Sequence, residues 1–275
     1  MLMEIIVIAM HELRIGITSK RLLFAAGIIV LGAGLITTAA LNVAKDHRVQ
    51  MLTTFVPMNA KQVNQKKIKA GLKAVFGNKS EIVEYRMKRP LLLSFAFFMF
   101  VLFFPFVVAI IAYDSIADEI QGGAVRFLLS RARRASLLLG KYMAQAILIL
   151  GMLFLGYFSV LGSGLYALQG SLFPWFREAF SLVILTWIMA LGYLGWVLLA
   201  SSMVRKPFMA LMISIAGLLV MGIVGLTRYH SFSPNFYKMD LLGPPAMAYQ
   251  SGAIFIGFAA LMLGLAGALL QWRDL

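Results

Sequence analysis

The chain alternates between long apolar runs and short segments that gather nearly all of its charge. Six runs contain no Asp, Glu, Lys, Arg or His: 22–41, 91–113, 142–165, 180–204, 208–226 and 251–270. About 20 apolar residues in a helix cross roughly 30 Å of hydrocarbon, and each run is close to that length or longer. Tryptophan and tyrosine gather near their ends, at Tyr113, Tyr142, Trp175, Tyr229, Tyr237, Tyr249 and Trp272, where an aromatic belt belongs. The short alternating segments of a membrane β-barrel are absent. The pattern predicts an all-α integral membrane protein with six transmembrane helices.

The lead before the first run, residues 1–21, reads differently. Ile6, Met10, Leu13 and Ile17 share one helical face, while Glu4, His11 and Thr18 lie opposite. Ile8 and Ile15 interrupt that polar side, and Glu12 and Arg14 break the apolar run. An interfacial elbow helix fits better than a seventh span. A signal peptide fits worse, because the run that follows is too long for an h-region and the lead opens on Glu4.

Composition agrees with a lipid solvent: 61% of the 275 residues are apolar and 13% charged, and mean hydropathy is +0.88. There is no cysteine, which excludes disulfides and thiolate sites. Charge then sets the orientation. With both termini placed in the cytoplasm, the inner segments hold eleven Lys/Arg and the outer ones three, apart from the loop 42–90, which holds eleven more. That loop opposes the positive-inside rule, although Lys61, Lys66, Lys67, Lys69 and Lys73 sit well away from either span. Most of the net +14 is therefore a property of one extracytoplasmic loop. No aromatic interleaving suggests base stacking, so nucleic acid is not an expected partner.

The spans also exclude functions. Ion-coupled transporters and pumps carry ionisable groups inside their helices, and these runs have none. Their polar residues, such as Gln145, Thr37, Thr38, Ser163, Thr186 and Ser214, suit interhelical hydrogen bonds. Neither H-E-x-x-H nor G-x-S-x-G occurs, and His11, His47 and His230 lie in separate segments, so no catalytic residue is assigned and the chain is not expected to be an enzyme. No Walker-type phosphate loop is present, so no cofactor is expected on this chain. Any work must be driven by another protein. Ala260, Gly264 and Ala268 recur every four residues and offer a small face for helix packing. Seventeen methionines hint at copper(I), but they are scattered and suit helix interfaces equally well.

The segment 114–141 between the second and third spans carries the strongest signal. Asp114, Asp118 and Glu119 come first, and Arg126, Arg131, Arg133, Arg134 and Lys141 follow, an order that suits helix dipoles. Ile116, Ile120, Gly123 and Phe127 fall on one helical stripe, which leaves the charges to face outward. Gly122 and Gly123 permit a bend. An amphipathic connector held at anionic headgroups is the plain alternative. In the outer loop, Ile68, Leu72, Val75 and Phe76 form a stripe among lysines. It suits a small helix on headgroups, one on an extracytoplasmic partner protein, or a solvated basic helix. Prolines at 234, 244 and 245 forbid a long regular helix across 227–250.

In segment 114–141 the order acid–Ile–Ala–acid–Glu, Gly, Arg, Leu–Leu–Ser, Arg, then Leu–Leu–Gly–Lys resembles the motif between the second and third helices of ABC-2 type transporter permeases. It is most similar to the copper-maturation permease branch associated with nitrous oxide reductase. The stretch from Met10 through Leu23 resembles that family's elbow running into the first span, and the closing Arg273–Asp–Leu275 resembles its common ending. Ala132 stands where many members have proline, and the stretch 130–141 is one residue short.

The resemblance implies a type V exporter-like architecture in a single permease domain, residues 1–275, in the inner or plasma membrane. It implies a second permease copy, identical or homologous, and two copies of a separate ATPase that binds ATP and Mg2+. It places ATPase coupling on Asp118, Glu119, Gly123 and Arg126, and a short re-entrant element in 227–250. The expected function is export or flipping of a substrate. A membrane anchor that harnesses a partner ATPase for mechanical or regulatory work, transporting nothing, is the alternative.

Overall fold

The computed structural model describes residues 2–46, 80–87, 91–123, 133–168, 172–226 and 233–272, and every regular element among them is helical. The expected stripe at 68–76, and Phe127 and Arg126, lie outside the described residues.

The lead forms α1, Leu2–Thr18, and the first span forms α2, Lys20–Asp46. Ser19 makes the break between them. Its hydroxyl donates to Gly16 O (2.7 Å) and accepts from Leu22 N (3.2 Å), so one side chain closes α1 and caps α2. The two helices bend by 63° there. After α3, Ser80–Met87, the second span is α4, Leu91–Ala112, followed by the one-turn helix α5, Ala117–Gln121. The third to fifth spans are α6, Arg134–Leu168, α7, Leu172–Met203, and α8, Pro207–Leu226, whose first residue is the proline that helix starts favour. Short turns follow, α9, Pro234–Tyr237, and a 3-10 turn, Asp240–Leu242, before the last span α10, Pro245–Trp272. Five helices are long and apolar enough to cross a membrane by themselves, and the bent α1–α2 pair brings the number to as many as six.

The helix α7 is the axis of the bundle, with 67% of its spanning stretch buried, against 17% for α8 and 22% for α10, which lie at the rim. Lipid is as apolar as leucine, so close approach and polar contacts hold such helices together. At Gly192 and Gly195 the backbone of α7 lies almost on α10: a Cβ at Gly195 would sit 3.1 Å from both Cα and O of Ala259. Trp187 Nε1 donates to Ala146 O (2.8 Å), joining α7 to α6. Among the polar residues of the spans, Thr186 bonds Tyr157 (2.8 Å) and Gln145 bonds Ser115 (3.2 Å) across elements. Thr38 and Ser214 instead bond carbonyls of their own helices. That departs from the interhelical role expected of them, because the carbonyl one turn back is the acceptor a helical hydroxyl reaches most easily.

The elbow packs by a face the apolar pattern did not indicate. Ile6, Met10 and Ile17 are exposed, at 40%, 65% and 59%. The side holding Ile8, Ala9, Glu12 and Gly16 turns to α6. The reason is steric: a Cβ at Gly140 would meet Ile8 at 2.7 Å and Ile5 O at 3.1 Å, and one at Gly16 would meet Leu148 at 2.5 Å. Small residues let the backbones approach, and the large apolar ones remain for lipid. Ile8, an interruption on the wheel, is a contact in the fold.

Candidate functional site: the charged end of the bundle

One end of the bundle collects α1, α5, the start of α6, the α7–α8 turn and the end of α10. The one-turn helix α5 is too short to satisfy its own N-terminal amides. Ser201, fully buried near the end of α7, accepts from Ile116 N (3.1 Å) and Ala117 N (3.0 Å) and holds α5 to the bundle. Ser115 accepts from Gln145 Nε2 (3.2 Å). Gly122 N bonds Asp118 O (2.9 Å), and Gly123 adopts φ 72, the left-handed conformation that stops a helix. A residue with a side chain is strained there, which gives Gly123 a conformational reason to be glycine.

The acidic pair splits. Asp118 is exposed, as the outward-facing stripe required. Glu119 is not: it turns inward and meets Lys141 Nζ at 2.8 Å. Lys141 is only 2% exposed, although it immediately precedes the apolar run, and it also contacts Glu12 of α1 at 2.7 Å. Two carboxylates from different elements thus share one buried ammonium. The expectation that the charges of this segment face out is corrected for Glu119 and Lys141. An ammonium between two carboxylates is better placed there than against acyl chains. Arg134, on the first turn of α6, donates to Leu270 O and to Gln271 O (2.9 Å), placing a cation on the C-terminal carbonyls of α10.

The opposite end has its own buried pair. Arg86 of α3 meets Glu178 of α7 and donates through Nε to Leu242 O (2.7 Å) of the 3-10 turn. Arg86, counted above with the loose basic charge of loop 42–90, is 2% exposed. Tyr193 donates to Asn235, and Ser233 donates to Met221 O (2.6 Å), so the proline-rich turns are seated on α7 and α8. Burial lowers the ammonium pKa of Lys238 beside them.

Sequence reasoning missed Glu12, Lys141, Arg86 and Glu178 as partners. A signal was present: each lies just beyond an apolar run or in a helix flanking one, where a long side chain can reach a neighbour. The packing face Ala260, Gly264 and Ala268 is exposed on α10, and a Cβ at Gly264 would meet nothing within 4 Å. Among the described residues, no group of three His, Asp or Glu side chains is placed to hold a metal.

These features define a multi-pass membrane protein, built only of helices in its described residues, with a short, tethered helix at one end. A family model described as ABC-2 family transporter protein matches residues 6–241, from α1 into the 3-10 turn. The chain belongs to that family. It is therefore a membrane permease subunit of an ABC transporter, a transporter component rather than an enzyme, in a system whose partner is an ATPase. No curated protein matches it.

Proposed function

We propose that the chain exports or flips its substrate with energy from a separate ATPase that docks on α5 and the segment reaching to Arg134. The observation that carries this reading is the short helix α5. It follows the second span directly, presents Asp118 outward, and is fastened from behind by Ser201 and Lys141. A helix fixed in this way passes a push from a partner to the bundle instead of yielding to it. ATP and Mg2+ belong on the ATPase, present in two copies beside two permease copies. Asp118 and Arg126 are the docking charges in this reading, Gly123 sets the turn between them, and Glu119 acts from behind. The test is ATPase recovery with the tagged permease from mild detergent. Asp118→Lys and Arg126→Ala are each expected to weaken docking about 30-fold, the equivalent of ~2 kcal/mol for a desolvated charge contact. Full recovery and full stimulated hydrolysis in both variants would leave α5 a lipid-side connector.

The resemblance to the copper-maturation branch rests on residue order alone. Several of the methionines, among them Met3, Met10, Met203, Met209 and Met212, point outward along α1, α7 and α8. That sets these methionines on the outer surface of the bundle and not along a copper(I) path through it, which favours a lipid-like or peptide substrate.

The α5 end is the cytoplasmic one in this proposal, in an inner or plasma membrane. Cysteines introduced singly at Lys67 and Arg133 are expected to react with impermeant reagent from opposite sides. Reaction of Lys67→Cys from the cytoplasmic side only would reverse the orientation.

The exposed Ala260, Gly264 and Ala268 face is offered to the second permease copy. Native mass spectrometry of the complex is expected to show two permeases, and a single copy would end that assignment. Gly264→Leu is expected to leave the monomer fold intact, since the position opens on empty space.

A further inference from the structure

Coupling at α5 explains how force would enter the bundle, but α5 touches little of it. Its backbone leans on α7, and its one inward charge goes to Lys141. Lys141 in turn reaches Glu12, 129 residues earlier in the chain. The elbow α1 is the element that lies along α6, with backbones so close at Gly140 that Ile8 fills the place of a side chain.

We infer that Lys141, which stands on α6, is a positioning residue that ties α5 and α1 to each other and to that helix, so that the docking helix, the elbow and the start of α6 move as one body. Three observations carry this. The ammonium is 2% exposed and lies within 2.8 Å of both carboxylates, so it is a bridge and not a solvated lysine with a passing neighbour. Both carboxylates are themselves largely withdrawn from solvent, at 17% and 20% exposure, which strengthens each contact and makes its loss expensive. Finally, Glu12 and Glu119 already act on each other as like charges, so removing the ammonium leaves them facing one another. Repulsion then replaces attraction, and the elements part.

The inference draws its purpose from the coupling reading, but its test needs no ATPase, so the failure of one is distinguishable from the failure of the other. The natural chain has no cysteine, which allows paired spin labels to be placed without background. Labels at Met10 and Asp118, both exposed, report the distance from α1 to α5 in the purified full-length protein in lipid nanodiscs. Labels at Phe208 and Trp272, exposed on α8 and α10, form the control pair. In the otherwise natural chain the first pair is expected to give a narrow distribution. Lys141→Met is expected to broaden and lengthen it by about one helical turn, ~5 Å, with the control pair unchanged. The triple variant Glu12→Gln, Glu119→Gln, Lys141→Met removes the buried charge altogether and so folds even where Lys141→Met does not. It is expected to broaden the distribution as well but to lengthen it less than Lys141→Met does, because the bridge is lost while the repulsion is absent. A distribution as narrow as the parent's in the variants overturns the inference. So does a change in the control pair, which would make Lys141 a general packing residue and not a tether.

Discussion

Replacing Arg86 with alanine is expected to destabilise the protein by about 3–5 kcal/mol, the range for removing one member of a buried ion pair. The guanidinium is 2% exposed and does two things at once. It neutralises Glu178, whose side chain is 7% exposed on the second turn of α7, and its Nε satisfies Leu242 O. Alanine removes both contacts, one of them from a carboxylate that is itself buried. The double variant Arg86→Met, Glu178→Leu is expected to recover most of the loss, because no charge is then left without a partner. Thermal unfolding of the detergent-solubilised protein measures both. A single variant as stable as the parent would mean that water reaches Glu178 and that the pair holds nothing.

Gly195→Val is the second large effect expected. The new Cβ meets backbone atoms of Ala259 at 3.1 Å and Met262 Cβ at 3.3 Å, and backbone cannot swing aside as a side-chain tip does. Overpacking of this kind costs ~3 kcal/mol at the upper end of its usual range, and a β-branched residue fits a helix poorly as well. The rim helix α10 has only 22% of its spanning stretch buried, so lost contact with α7 is not made up elsewhere. Gly264→Val on the outward face is the matched control, expected within about 0.5 kcal/mol of the parent. Accessibility of α10 to protease, followed with the unfolding midpoint, separates the two. Equal behaviour of the two variants would show that α7 and α10 are not in close contact.

How far residue order leads depends on the range of the forces concerned. The spans were legible because each is a local run of apolar residues, and the need to satisfy backbone groups in lipid makes that run a helix. The helices outgrow the runs at their ends: α6 begins at Arg134 and α10 at Pro245. Polar flanks are compatible with helix wherever a partner waits, and that partner is not local. Arg86 and Glu178 are 92 residues apart, and Lys141 and Glu12 are 129 apart. Position alone could flag these charges as lying close to a span, but not choose their partners. The elbow was misjudged for a related reason. A wheel assumes that apolar residues seek the bundle, yet lipid accepts them equally, so the close-packing face of α1 is marked by Gly16 and Ala9 rather than by Met10. In segment 114–141 the pattern missed that Glu119 turns inward, and Arg134 and Lys141 stand on the first turns of α6, the opposite helix end from the one expected for bases. One turn of helix is too short for a wheel to fix a face.

The distance along the chain from Glu12 to Lys141 also sets an order of events at the ribosome. When α1 leaves the tunnel, neither the ammonium for Glu12 nor the glycine surface that receives Ile8 has been made. With synthesis at about 5–20 residues per second, α6 follows on the order of ten seconds later. Throughout that interval Glu12 must stay hydrated, so α1 can only wait at the headgroup layer while α2 is already committed to the bilayer. Its seating is a late step of biogenesis, completed when the third span arrives.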